Sequence, residues 1–257
     1  MRYIASCCTD VGIEKKINQD SLALRIANTY KGEILMVAVC DGMGGLNKGE
    51  LASSTLIYDI TEWFEENLPK YMSLDNFEIS DLEKPLLNFF HNENLKIIEY
   101  SRKQRLKLGS TCTVAVIFDN TMLIVHVGDT RVYCISDNIT KLTVDHSLVQ
   151  LEVSQGILKP EEAEIDPRRN VLIQCIGVDA NCEPDVIYRT VKKDEIYLVC
   201  SDGFRHEVQS DELFSLYKNN VNDSEKDLEK VTSSIIDLVK ERGETDNISC
   251  IAIRVKE

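Results

Sequence analysis

Residues 111–127 read Thr-Cys-Thr-Val-Ala-Val-Ile-Phe-Asp-Asn-Thr-Met-Leu-Ile-Val-His-Val. Two apolar, β-branched runs, Thr111–Phe118 and Met122–Val127, lie either side of Asp119-Asn120. Runs of this length and composition are strand signals, and a two-residue polar link between them is a hairpin signal. Strands joined so tightly must pair antiparallel, because a parallel crossover needs a dozen or more residues. The next link, Gly128-Asp129-Thr130, is equally short and leads into Val132–Ile135. The same reasoning predicts a second antiparallel pair there.

Working outward, Ser21–Ile26, Ile34–Cys40, Val171–Ile176, Val186–Val191, Ile196–Cys200 and Ile248–Val255 carry the same strand signature. Three stretches carry helical periodicity. Leu51 to about Leu68 places Ala52, Leu56, Ile60 and Phe64 at i+4 spacing, with Pro69 as the expected stop. Leu82–Ile98 has a looser apolar face. In the third, Leu228, Val231, Ile235 and Leu238 form a stripe, with Ser224 as N-cap and Gly243 as stop. Each stripe must bury against something. Two antiparallel sheets face to face, with helices on their outer faces, satisfy every segment. The expected fold is therefore α+β, a four-layer α-β-β-α sandwich. The irregular stretches Pro69–Ser80, Lys159–Asn170 and Asn219–Ser224 are short, and no linker or repeat divides the chain. One domain over residues 1–257 is expected.

Composition narrows the function. The chain has 257 residues, with 29 Lys and Arg against 43 Asp and Glu, a formal net charge of −14. That opposes a polynucleotide-backbone binder, which needs a basic face, and no local basic patch is evident in the sequence. The longest apolar run, Ile34–Cys40, is far short of the ~20 residues of a membrane span. The N-terminus meets polar residues too early for a secretory signal. The nine cysteines form no C-x-x-C pair. Cys40, Cys112, Cys134, Cys175, Cys200 and Cys250 fall within apolar runs. This is the pattern of small core residues in a reduced, cytoplasmic protein rather than of a zinc site or disulfide framework.

The chemistry signal is a set of aspartates at strand ends. Asp41 follows Met36–Cys40 and opens Asp41-Gly42-Met43-Gly44-Gly45. Asp202 follows Ile196–Cys200 in Ser201-Asp202-Gly203. Asp129 lies in Gly128-Asp129-Thr130-Arg131, and Asp246 lies in Thr245-Asp246-Asn247 before the last strand. Asp20 closes Asn18-Gln19-Asp20 and leads into a strand. Taken singly, an Asp-Gly pair is a common turn. Taken together, strand ends of one sandwich can gather the carboxylates. Gathered carboxylates repel unless a cation relieves them, and all-oxygen donors select magnesium, manganese or calcium over zinc or copper. Glycine after Asp41 and Asp202 lets backbone carbonyls approach an ion closely.

The chain resembles the metal-dependent protein serine/threonine phosphatases of the type 2C class, and is similar to their compact bacterial members. The motifs run nearly its full length. They are Thr9-Asp10-Val11-Gly12, Asn18-Gln19-Asp20, Asp41-Gly42-Met43-Gly44-Gly45 with Gly49-Glu50 and Ala52-Ser53, and Gly109-Ser110-Thr111. Gly128-Asp129-Thr130-Arg131, Asp145-His146-Ser147, Ser201-Asp202-Gly203 and Thr245-Asp246-Asn247-Ile248 complete the set. The resemblance implies the same α-β-β-α sandwich. It implies hydrolysis of phosphoserine or phosphothreonine esters by water activated at two Mg2+ or Mn2+ ions, without a phosphoenzyme. In this reading Asp41 bridges the ions, Gly42 offers its carbonyl to one, and Asp202 and Asp246 complete the other. Asp129, with Asp202, contributes to a third, weaker site, and Asp20 holds water near the centre. Residues 147–176 resemble the flap beside that centre.

Some positions depart from the family or stay open. Relatives carry Arg where this chain has Lys15; Lys15 either grips the substrate phosphate as a point charge or is a solvated lysine. No general-acid histidine is evident: His146 is expected to be structural at the flap entry, and His91 and His126 to be packing residues. Arg205 either reaches substrate, caps a helix or pairs with Glu207. Arg168 and Arg169 either contact an acidic or phosphorylated partner or are solvated. The expected partners are phosphorylated proteins, opposed by a serine/threonine kinase; nucleic acid and membrane are excluded and a monomer is expected. The alternatives are a silent phosphoprotein-binding module of the same fold, favoured by Lys15, and a hydrolase of other phosphate esters, disfavoured by the acidic balance.

Overall fold

The computed structural model describes residues 1–43, 48–221 and 224–256. Gly44 and Gly45 of the Asp41 motif, and part of the expected Asn219–Ser224 link, lie outside them. The strands are β1 (Tyr3–Asp10), β2 (Asp20–Thr29), β3 (Gly32–Asp41), β4 (Cys112–Phe118), β5 (Thr121–Val127), β6 (Arg131–Ile135), β7 (Ile139–Lys141), β8 (Asp185–Thr190), β9 (Ile196–Cys200) and β10 (Ile248–Val255). The helices are α1 (Gly49–Met72), α2 (Glu83–Gln104), α3 (Leu148–Ser154), α4 (Pro160–Ala163), α5 (Ser210–Asn220) and α6 (Glu225–Glu241). One five-stranded sheet has the order β1-β10-β9-β6-β7 and the other β2-β3-β4-β5-β8. Every pairing is antiparallel.

Strand β3 explains the layering. Its residues alternate between two buried faces, which is why it reads as an unbroken apolar run rather than an alternating one. Leu35, Val37 and Val39 pack between the sheets against Ala115, Ile117, Val199, Ile251 and Ile253. Ile34, Met36, Ala38 and Cys40 face outward onto Leu56, Ile60 and Phe64 of α1 and Phe90 of α2. On the far side, Leu198, Cys200, Cys250 and Ala252 meet Leu213 and Tyr217 of α5 and Leu228, Ile235 and Val239 of α6. Each fully buried aliphatic side chain contributes roughly 1.5–3 kcal/mol. The six cysteines of the apolar runs are all buried, and all nine are free thiols. Ser224 caps α6 through Oγ, which accepts from the Asp227 N–H.

Several expectations are corrected. Asp119-Asn120 does join the β4–β5 hairpin, but Gly128-Asp129-Thr130 is not a hairpin: β5 and β6 belong to different sheets. A short link can also step between stacked sheets, which lie only ~10 Å apart. That step leaves Asp129 at the end of the sandwich. Val171–Ile176 is not a strand; it makes only isolated bridges, Ser110 to Ile176 and Ser147 to Leu172. The edge of β5 that it would need is taken by β8. Pro69 lies inside α1 rather than ending it, because Leu68 and Met72 on that last turn bury in the same core as Phe77 and outweigh one lost backbone bond. Strands β1 and β7 and helices α3, α4 and α5 go beyond the expected elements. His91 is exposed and is no packing residue, whereas His126 is fully buried, with Nδ1 2.8 Å from Thr113 Oγ1. Burial, and the neighbouring His146, push the His126 pKa down to about 4.

Candidate active site

The acidic turns converge at one end of the sandwich. Asp20 and Asp41 lie opposite each other in the β2–β3 register. The Asp41 backbone is fixed on its other side by β4: its N–H donates to Thr111 Oγ1 at 2.9 Å, and its carbonyl accepts from the Thr111 N–H at 2.9 Å. Gly42 then passes so close to Gly49, at the start of α1, that a Cβ on Gly42 would lie 2.3 Å from the Gly49 carbonyl oxygen. Only glycine permits that approach. Asp202 opens a 3-10 turn directly after β9, and a Cβ on Gly203 would lie 2.3 Å from the Asn247 carbonyl oxygen. The ends of β9 and β10 are thereby locked together.

Asn247 holds the remaining wall. Its Oδ1 accepts from the Gln19 N–H at 2.8 Å, and its Nδ2 donates to the carbonyls of Val11 (2.9 Å) and Ile17 (3.2 Å). This pins the loop that carries Lys15, whose Nζ lies 2.8 Å from Asp246 Oδ1. A cavity of about 920 Å³ opens over these residues, and Lys15, Asp41, Asp129, Asp202, Asp246, Met43 and Thr111 line it. The structure thus brings together the four aspartates expected to ligate metal through their side chains. Asp20 does not line the cavity. It lies behind, 7% exposed, with Oδ2 accepting from Ser201 Oγ–H at 2.8 Å.

The electrostatics are those of crowded acids. Burial pushes Asp20 and Asp129 up to about 7; Asp202 reinforces both, and Asp246 adds to the shift at Asp20. Asp41 keeps partial exposure, yet it is raised well above the usual carboxylate range, by loss of hydration and then by Asp20, Asp202, Asp129 and Asp246. At Lys15 burial disfavours the charge, but Asp246, with Asp41 and Asp202 beyond it, leaves the pKa raised. Two carboxylate oxygens of this site, Asp20 Oδ1 and Asp202 Oδ1, are buried without any hydrogen-bond partner among the described residues. An orphaned anionic oxygen is costly, and a hard cation is the partner that relieves it. Among the described residues, no three His, Cys, Asp or Glu side chains are gathered tightly enough to enclose an ion as they stand. The donor chemistry nevertheless fits a hard divalent ion.

Sequence reasoning passed over some of the machinery. His206 is buried between two carboxylates, with Nε2 3.7 Å from Asp202 Oδ2 and Nδ1 3.4 Å from Glu244 Oε2. Glu244 Oε1 in turn accepts from the Asp246 N–H at 2.9 Å. The i,i+4 spacing of Asp202 and His206 was the available signal. Arg205 does not pair with Glu207; it caps the C-terminal end of the 3-10 turn, its N–H donating to the Asp202 carbonyl at 3.0 Å, and its Nη2 lies 3.8 Å from Asp129 Oδ2 and donates to the Asp129 carbonyl at 3.3 Å. His146 is hydrogen-bonded on both ring nitrogens: Nδ1 accepts from the Gly128 N–H and Nε2 meets Asp185 Oδ2, both at 3.2 Å. Arg168 is spent on Glu152 and Asp166, and Arg169 donates to the Glu164 carbonyl. The basic run Arg102-Lys103-Gln104-Arg105-Leu106-Lys107 is a local basic patch that the composition argument left open and did not locate. Its Arg102, Arg105 and Lys107 line the same cavity as the aspartates.

The sequence model of the family described as Protein phosphatase 2C matches residues 13–238. The chain belongs to the protein phosphatase 2C family. Over 255 residues it is 26% identical to the protein phosphatase PhpP of Streptococcus pneumoniae, covering 98% of this chain and 97% of that one. The serine/threonine phosphatase Stp1 of Staphylococcus aureus superposes with a TM-score of 0.86 at 26% identity, over 100% of this chain and 96% of that one. The catalytic domain of the serine/threonine protein phosphatase PstP, solved with two manganese ions, shares the fold with a TM-score of 0.79 at 24% identity, over 99% of each chain. The α-β-β-α arrangement of this phosphatase 2C chain is that of its structural relatives.

Proposed function

We propose that the chain is a protein serine/threonine phosphatase, hydrolysing phosphoserine and phosphothreonine esters at a binuclear Mg2+ or Mn2+ centre. The observation that carries the reading is the crowding of Asp41, Asp129, Asp202 and Asp246 around one cavity, with orphaned oxygens on Asp202 and on Asp20 behind. Asp41, the Gly42 carbonyl, Asp202 and Asp246 would hold the two ions, and Asp129 with Asp202 a third, weaker one. When bound, such ions lower the pKa of water and draw charge from the phosphoryl oxygens.

The chain's own residues supply the rest. Lys15 shares its ammonium between Asp246 and a phosphoryl oxygen, giving a point charge where a guanidinium would give two parallel bonds. Thr111, just before β4, holds the Asp41 backbone in register, which fixes where its carboxylate stands in the cavity. Asp20, held behind the centre by the Ser201 Oγ–H that donates to its Oδ2, would hold water near the ions. Residues 1–257 are read as one domain, a cytoplasmic monomer, with residues 147–176 as its flap and phosphoproteins made by a serine/threonine kinase as its substrates. The silent-module alternative is not favoured, since all the acidic positions are intact.

Turnover of p-nitrophenyl phosphate and of a phosphothreonine peptide, with manganese and with EDTA, tests this. Activity should require the divalent ion, and Asp202→Ala should reduce kcat by about 10³-fold, the order lost with a main charge-stabilising group. Turnover that persists in EDTA, or survives Asp202→Ala, would overturn it.

A further inference from the structure

The cavity has a second half that the acidic centre does not use. Away from the aspartates its wall is the C-terminal end of α2 and the segment after it: Ile98, Arg102, Arg105, Leu106, Lys107 and Leu108. Flap residues Asn170, Leu172 and Cys175 line it too. Arg102, Arg105 and Lys107 are exposed, and none of them forms an ion pair with a described residue, whereas Lys103 is engaged by Glu99 at 2.7 Å. Arg105 ends α2 with φ +55, in the left-handed region, so the chain turns there and carries Leu106 and Lys107 along the cavity rather than away from it. Within the same wall Ser101, 7% exposed, has its Oγ buried with no hydrogen-bond partner.

Three unpaired cations beside four carboxylates need an explanation in a chain of net charge −14. They do not pair with the aspartates, whose basic neighbours are Lys15, Arg205 and His206. They do create a local positive rim on an anion-repelling surface, along the same cavity that holds the acidic centre. We infer that this wall is a substrate subsite selecting protein substrates whose phosphorylated serine or threonine is flanked by acidic residues. The apolar strip of Ile98, Leu106, Leu108 and Val178 receives the aliphatic parts of the same segment. The inference rests on the phosphatase reading above and names the substrate class for that site.

The test compares fluorescein-labelled phosphothreonine peptides that share a core and differ only in an Asp/Glu, Ser or Lys flank. Both kcat/KM with manganese and binding by fluorescence anisotropy are read. Three exposed ion pairs should give the wild type about tenfold preference for the acidic over the Ser flank. That ratio should shrink at high salt and fall to about one in Arg102→Ala/Arg105→Ala/Lys107→Ala. The same positions changed to Glu should invert the preference toward the Lys flank. Because the readout is a ratio, a general loss of fold or metal does not mimic it. Equal handling of all three flanks by the wild type, or an acidic preference that survives the triple substitution, would overturn the inference. If no peptide is turned over, the phosphatase reading fails, and the anisotropy ratios still decide whether the wall selects acidic flanks.

Discussion

Two buried charge clusters lie within one sandwich and behave oppositely. In the first, Asp145 is gripped by Arg131, whose Nε lies 3.0 Å from both carboxylate oxygens and whose Nη2 lies 2.6 Å from Oδ2. Arg131 also reaches Glu164 at 3.1 Å and the Tyr133 hydroxyl at 3.0 Å. Burial alone would push Asp145 up, but Arg131 and Arg205 hold it down at about 2. In the second cluster, Asp20 and Asp129 meet too little positive charge and rise to about 7. Burial is common to both. The presence of a guanidinium fork separates a carboxylate that holds the fold together from one that waits for a cation.

The largest effect that separates the clusters is on stability. Asp145→Ala should cost about 3–5 kcal/mol, because it strands the Arg131 charge in the interior. In EDTA, Asp202→Ala should cost nothing or raise the melting temperature, because it removes a repelling carboxylate. Urea or thermal unfolding of both variants checks this; equal destabilisation by the two would erase the distinction.

The pH dependence should also differ in sign. The folded-state pKa of Asp145 is depressed, so its contribution is complete above about 4 and is lost as pH falls toward 2. Asp20 and Asp129 are raised, so the folded chain retains protons that the unfolded chain releases between about 4 and 7. Stability therefore falls as pH rises through that window. Metal-free protein should be most stable in mildly acid solution, and Asp145→Asn should remove only the low-pH limb. Thermal unfolding in EDTA from pH 2.5 to 8 measures both limbs. A curve rising steadily to pH 8 would contradict the unpaired state of the second cluster.

The smallest effect is at Lys15. Lys15→Arg should lower KM for a phosphothreonine peptide a few-fold, by offering a planar fork to the phosphoryl oxygens, with little change in kcat. An unchanged KM would mean that Lys15 serves Asp246 alone.

Much of this arrangement was legible beforehand, for identifiable reasons. The apolar strands and the i+4 stripe of α1 are periodic signals, and they gave the layers. The aspartates were legible because each sits beside the start or the end of a strand. The sequence did not reveal which aspartates have partners. Asp145 and Asp202 both stand in short polar motifs, and only the fold brings Arg131 to one and leaves an oxygen of the other bare. The step of Gly128-Asp129-Thr130 between sheets was hidden because a short link reads alike within a sheet and across two. His206 was missed because its partner Glu244 is distant in sequence. The Arg102–Lys107 run was in plain view but was masked by the net charge of the whole chain.

The central claim is that the crowded aspartates form a site for hard divalent cations. Isothermal titration of manganese into EDTA-stripped, dialysed protein tests it without relying on turnover. Wild type should bind about two equivalents, releasing protons near neutral pH, and Asp41→Ala or Asp202→Ala should abolish at least one. No manganese binding, or manganese binding unaffected by either substitution, would contradict it.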